Sequence, residues 1–154
     1  MKIEYIKRTR DYYRAQGFKQ DYQWASNNQT PFQPLLKPLT DSVVTLVTTA
    51  VTEPDIPKPI RAAKSYCFAS VPKAFETSEL SWDKQTTHTR DRSSYFPMEI
   101  LQDLAAEGTI GALAERYHFV PTEYSQSNTI EKDAPATVNA CLQDAVDVAI
   151  LIPL

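Results

Sequence analysis

The chemistry-bearing residues of this chain gather in three short stretches. His88-Thr89-Arg90-Asp91-Arg92 puts an imidazole, a carboxylate and two guanidiniums side by side. Such a set can hold a carboxylate substrate bidentately or supply an acid/base pair. Arg90 and Arg92 alternate, so both face one ligand only in extended chain; the plainer alternative is a charged surface loop. His118 lies between Tyr117 and Phe119 and reads either as a base or as a satisfied strand histidine. Thr122-Glu123-Tyr124-Ser125-Gln126-Ser127-Asn128-Thr129 follows a short strand and is rich in groups that can orient a small ligand, although loops are polar in any case. The candidate catalytic residues are therefore His88, Asp91 and His118, and the candidate substrate-binding residues are Arg90, Thr122, Tyr124 and Ser125.

Other chemistries find little footing. Only three glycines occur, Gly17, Gly108 and Gly111, which leaves no dinucleotide fingerprint, no Walker loop and no nucleophile elbow. Gly108-Thr109-Ile110-Gly111 can wrap an anion, but a helix cap and turn explain it more simply. Cys67 and Cys141 are far apart, with no zinc-type run of Cys and His. Both fall on expected buried faces and read as packing thiols. No metal or cofactor is expected.

The elements that must position these residues can be read from the pattern. The first segment suits a helix, with Ile6 and Tyr13 seven apart and Gly17 as its stop. Pro31, Pro34 and Pro38 then predict extended surface chain, so residues 1–38 read as a helix and arm, and residues 39–154 as the main domain. Ser42 to Thr49 is β-branched and almost continuously apolar, as a strand covered on both faces would be. Ser65 to Val71 and Glu79 to Trp82 are further strand candidates. Pro97, Met98, Leu101, Leu104, Ala105 and Gly108 describe an amphipathic helix from first turn to cap. Tyr117 to Val120 suits a short strand. Asp133 and Pro135 start a second helix with the stripe Val138, Cys141, Leu142 and Ala145, and Val146 to Leu154 suits a buried strand. Helix followed by buried strand, repeated, predicts a three-layer, Rossmann-like α/β sandwich with a mainly parallel sheet. Ligands in such sheets sit beyond the carboxyl ends of strands. The chain stops at one of those ends, so the fold is expected to be incomplete there.

Charge and hydropathy narrow the setting. Six basic against two acidic residues leave residues 1–19 at +4, so the remainder carries −7 of the net −3. A basic stretch can contact nucleic acid or an acidic partner; a solvated basic helix is the simpler account, and no nucleic-acid role is expected. No apolar run approaches the roughly 20 residues of a membrane span, and residues 1–8 lack the apolar centre of a signal peptide. A cytoplasmic, non-membrane protein is the expectation.

The block from Tyr95-Phe96-Pro97-Met98-Glu99-Ile100-Leu101 through Gly108-Thr109-Ile110-Gly111-Ala112-Leu113-Ala114 resembles the selenoprotein B family of glycine, sarcosine, betaine and D-proline reductases. Lys37-Pro38-Leu39 before Val44 to Ala50, the His88 to Asp91 region and Val146 to Leu154 add to the likeness, as does Pro121-Thr122-Glu123-Tyr124-Ser125-Gln126, which is similar to a loop of the family's short members. Val51 departs from it, standing where a glycine is expected after Thr48-Thr49-Ala50, which puts close backbone approach to a ligand there in doubt.

The resemblance implies an oxidoreductase in which a selenolate attacks the carbon next to a substrate's nitrogen, the C–N bond is cleaved reductively, and thiol carriers regenerate the selenol. A selenolate is ionised at neutral pH and more polarizable than a thiolate, an extension of the thiol rules. In the reductases a selenocysteine or cysteine follows directly after the strand matching Ala149–Leu154, so this chain is expected to be a portion that lacks its redox residue and is inactive as it stands. The implied partners are a small amine-type substrate and a thiol electron carrier or companion reductase subunit, with self-association into a homo-oligomer. The alternative is a non-enzymatic binding subunit that uses the same scaffold and pairs through its unfinished sheet edge.

Overall fold

The structure is a computed structural model and describes residues 4–21, 23–79, 85–122 and 125–154. The chain divides into two compact units, residues 1–33 and 34–154. In the first, α1 (Tyr5–Ala15) buries no side chain. It ends where Gly17 turns to φ +89°, with Gly17 N–H donating to Arg14 O and Phe18 N–H to Tyr13 O, the paired bonds of a glycine C-cap. Arg14 grips Asp21 through two hydrogen bonds of 2.8 and 2.7 Å, and Arg10 lies 3.4 Å from the same carboxylate. Lys7 also lies 3.9 Å from Glu4, so among the described residues three of the six basic side chains expected to colour this end are paired within it.

The second unit is α/β with a mixed sheet of five strands. β1 (Val43–Thr48) is its centre, buried from Val44 to Thr48. β2 (Lys64–Cys67) comes next, then α2 (Met98–Ala106), the two-residue β3 (Ala112–Leu113) and β4 (Arg116–Phe119). α3 (Gln126–Asn128) widens into a π-turn at Thr129–Asp133 and continues as α4 (Ala134–Gln143), after which β5 (Val148–Ile152) closes the series. β3, β4 and β5 all run parallel to β1, and β2 runs antiparallel to β4. Val44 pairs with both Leu113 and Val148, and Val47 with both His118 and Leu151. A strand has two edges, so β3 and β4 share one edge of β1 and β5 occupies the other.

Alternation along the strands sorts side chains onto two faces. Val44, Leu46 and Tyr117 share one face with Leu101 of α2, in a core cluster that also holds Phe68, Phe75 and Phe96, and Phe119 is buried on the same face. Tyr117 is its hub, with ring centroids 5.0 to 6.1 Å from Phe96, Phe68, Tyr66 and Phe75. Thr45, Val47, Arg116 and His118 point to the other face, where Arg116 forks onto Asp144 at the end of α4. α2 ends as its sequence predicts: Gly108 sits at φ +74°, Thr109 N–H donates to Leu104 O and Gly108 N–H to Ala105 O.

Several expectations need correction. The second strand stops at Cys67, since Phe68–Ser70 forms a 3₁₀ turn, and it pairs antiparallel. α4 has Asp133 at its N-cap and Pro135 in its first turn, as expected, but helical chain precedes it: Ser125 caps α3 by accepting Asn128 N–H, and the π-turn leads into Pro135, which has no N–H for the Glu131 carbonyl. Its expected apolar stripe is split, with Val138 and Leu142 exposed and Cys141 half-buried, while Asp133, Thr137, Ala140 and Asp144 turn inward. Ala145 leaves the stripe altogether and occupies the left-handed C-cap position, φ 52°. β5 forms where expected but is not buried: Ala149, Ile150 and Leu151 are exposed because β1 covers one edge only. Of the Glu79 to Trp82 candidate strand, residues 80–82 lie outside the described residues.

Candidate functional site

The carboxyl ends of β1, β4 and β5 lie together, and the loop after β1 supplies most of the polar groups there. Thr48 Oγ1 accepts the Ala50 N–H at 3.1 Å and bends the chain off the strand. Thr52 Oγ1 then meets Tyr117 OH at 3.1 Å. Glu53 takes Lys64 Nζ at 2.8 and 2.7 Å and the Tyr66 hydroxyl at 3.0 Å. Lys64 and then Tyr66 hold the Glu53 carboxyl below its ordinary range, while burial first and Glu53 second push the Tyr66 phenol up. Tyr66 therefore stays a hydrogen-bond donor, and Glu53 an acceptor, throughout the neutral range. A cavity of about 180 Å³ opens beside them, lined by Val51, Glu53, Ile60, Arg61, Tyr66 and Phe119 among others. The nearly buried Arg61 ties its rim together, donating to Ile56 O at 2.8 Å and to both Glu79 oxygens. The arrangement can orient a polar ligand; no thiol lines it.

The sequence candidates do not converge. His88 and Arg90 are exposed, and their side chains have no hydrogen-bond partner among the described residues. Asp91 caps the turn Arg92–Ser94, accepting Ser93 N–H at 3.1 Å. Arg92 is committed to Pro72 O at 2.8 Å and to Glu99. Thr122 is exposed and lines only a cavity of about 10 Å³, room for about one water. Ser125 serves as the α3 cap, and Tyr124 lies outside the described residues. His118 alone is set in a sizeable cavity, on the sheet face opposite α2.

No family model, curated protein or solved structure matches this chain. Among the described residues there is no cluster of three or more metal-type ligands, and no helix is long and apolar enough to cross a membrane.

His118 is only 1% exposed, and its Nδ1 lies 2.8 Å from Ser65 Oγ, directly across the β2–β4 register. Burial is the main influence on it and lowers its pKa, with Asp144 pulling upward and Arg116 pushing down. Sequence reasoning missed Ser65, Glu53, Tyr66 and Asp144 as partners. Period-2 alternation around Tyr117-His118-Phe119 was available to separate the two faces, but nothing local announces an antiparallel β2.

The lowered pKa makes a prediction with a definite sign. The unfolded chain takes a proton at His118 near pH 6.5 while the folded chain resists it, so this stability is complete above that pH and is lost as pH falls toward the folded value. The melting temperature is expected to fall as pH drops below about 6.5, and the His118→Gln protein to show a flatter profile there. Asp144, Asp147, Glu53 and Glu79, all lowered by cationic partners, lose their share only at more acidic pH. An unchanged slope in His118→Gln would show that His118 is not held neutral.

Proposed function

We propose that this chain is part of an oxidoreductase of the selenoprotein B type, acting with a thiol or selenol on a small amine-type substrate, and that its sheet is the core of a three-layer, Rossmann-like sandwich. The likeness of the Tyr95 to Ala114 block supports the family reading, and the placement of Leu101 on one sheet face and Asp144 on the other supports the layered one. One observation carries the functional reading furthest. Leu154 N–H donates to Thr49 Oγ1 at 2.8 Å, and that hydroxyl lies 3.2 Å from Leu154 O. The end of β5 is thereby held beside the end of β1, on the edge of β1 opposite β4. In the reductases that the chain resembles, the redox residue follows this strand directly. A selenolate placed there would displace the amine from the carbon next to the nitrogen, forming a C–Se bond as the C–N bond breaks and the amine departs, and a dithiol carrier would then cleave the C–Se bond reductively, freeing the selenol and the reduced carbon product while the carrier becomes a disulfide. Tyr66 and Glu53, which line the cavity on the β4–β2 side, are the polar groups proposed to hold the substrate.

The test is the message beyond codon 154 together with the intact mass of the native protein. A UGA or cysteine codon in frame, with selenium in the product of the former, is the expected result. A UAA codon or unrelated sequence would overturn the reading. A binding subunit is the second reading, favoured by β5 itself: an uncharged edge strand with Leu151 72% exposed offers both backbone and apolar contacts to another strand. Leu151→Lys is then expected to convert an associated species to monomer in sedimentation.

A further inference from the structure

The sheet face opposite α2 carries a cavity of about 340 Å³ between β2, β4 and α4, within the range of about 300–1,000 Å³ usual for small-ligand sites. It holds an unpaired buried atom. His118 donates to or accepts from Ser65 through Nδ1, but its Nε2 is buried with no partner among the described residues. An unsatisfied buried polar atom destabilises a fold, so a ligand that hydrogen-bonds to Nε2 recovers what the protein alone forgoes.

The charges around the cavity select the ligand. Arg116 is forked onto Asp144 with contacts of 2.7 to 3.2 Å, and Lys64 Nζ is held by Glu53 on the other side of β2. An anion would have to draw Arg116 from Asp144, and a cation Asp144 from Arg116. A neutral molecule disturbs neither pair. Asn139 and Gln143, one turn apart on α4, also line the cavity, and neither carboxamide has a hydrogen-bond partner among the described residues. A carboxamide offers a donor and an acceptor side by side, the pattern that reads the edge of a nucleobase. The remaining wall includes Ala63, Ala136 and Ala140, whose short side chains leave room for a flat ring.

We propose that this cavity binds a small, uncharged, planar nitrogen heterocycle with adjacent donor and acceptor groups, of the nucleobase class, with Asn139 and Gln143 on one edge and His118 Nε2 on the other. The cavity shares Ala63 and Lys64 with the smaller cavity beside Glu53, but it is lined by His118 and α4 and does not depend on a redox residue, so it stands or falls independently of the oxidoreductase reading.

The experiment is a titration of the full chain with adenine and with uracil, followed through the ring-nitrogen resonances of His118, with His88, on its exposed loop, as the internal control. At least one base is expected to shift the His118 Nε2 resonance saturably and leave His88 unmoved, whereas acetate, phosphate and methylammonium leave both unmoved. Ala136→Leu places a larger side chain on an exposed position of the wall, and Asn139→Ala removes one carboxamide. Each is expected to weaken binding by about tenfold or more with an unchanged melting temperature. Failure of both bases to shift His118, an equal response to a charged probe, or wild-type affinity in both variants would overturn the proposal.

Discussion

Replacing Phe96 by alanine is expected to destabilise the protein by about 3–5 kcal/mol, the usual range for deleting a buried aromatic ring. Phe96 has no exposed surface, and its ring centroid lies 4.9 Å from Phe75, 5.0 Å from Tyr117 and 6.1 Å from Phe68. The neighbours are rings fixed to different elements, β4, the Phe68 turn and the Phe75 segment, so they cannot collapse together into the space left behind. The loss therefore includes a cavity contribution as well as the transfer of the ring to water. Urea unfolding checks this through its midpoint at constant slope. Tyr117→Phe keeps the ring and removes only the hydroxyl contact to Thr52, so about 0.5–1.5 kcal/mol is expected there. Phe32→Ala, at an exposed position, is expected to stay within about 0.5 kcal/mol of wild type. A Phe96→Ala loss below about 1 kcal/mol would show that the aromatic cluster is not the stabilising centre of the sheet.

The elements that announce themselves locally were those legible in the sequence. β1 has a β-branched, uninterrupted apolar run because both of its faces are buried, and α2 has Pro97 at its start, a stripe in its middle and Gly108 at its end. What depends on partners distant in the chain was not legible. Ser65 to Cys67 reads as a strand in either direction, and only its register against Arg116 to His118 makes it antiparallel. The α4 stripe misleads for a related reason: its inward face is set by polar bonds, Asp133 accepting Ala63 N–H at 3.1 Å and Asp144 accepting Arg116, so apolar Val138 and Leu142 are left outside. β5 has the composition of a covered strand, yet composition carries no information about whether a second neighbour exists. The candidate site divides along the same line. His118 was visible as an imidazole in a strand, but its lowered pKa comes from burial, against the opposing pull of Asp144, and its single partner Ser65 belongs to another strand. The His88 to Asp91 loop had the right side chains without the enclosure that would turn them into a site.

Gly111 is where a single added methyl group should do the most damage outside the aromatic cluster. A Cβ built there would lie 2.6 Å from the Asp41 carbonyl carbon, 2.7 Å from the Ser42 nitrogen and 2.9 Å from the Asp41 Cα. All three are backbone atoms, so no rotamer change relieves the overlap and one chain must move. Neither moves freely. Gly111 N–H is shared between Leu39 O at 3.0 Å and Ser42 O at 3.1 Å, and the next bonds, Ala112 N–H to Ser42 O and Ala114 N–H to Val44 O, begin the parallel pairing of β3 with β1. Pushing the two segments apart strains the first rungs of the central strand. Gly111→Ala is thus expected to cost about 1–3 kcal/mol or more, the range for overpacking a fitted interior, and to speed hydrogen exchange at the Ala112 and Ala114 amides. Gly108→Ala gives the contrast: nothing lies within 4 Å of its added Cβ, but φ is +74°, so the loss should be about 1–2 kcal/mol from backbone conformation alone. Asparagine, which tolerates that conformation better, should lessen the loss at position 108 and aggravate it at 111, where space and not φ is the constraint. Equal responses at the two positions would show that the close approach of residues 41–42 to Gly111 does not hold the start of the sheet together.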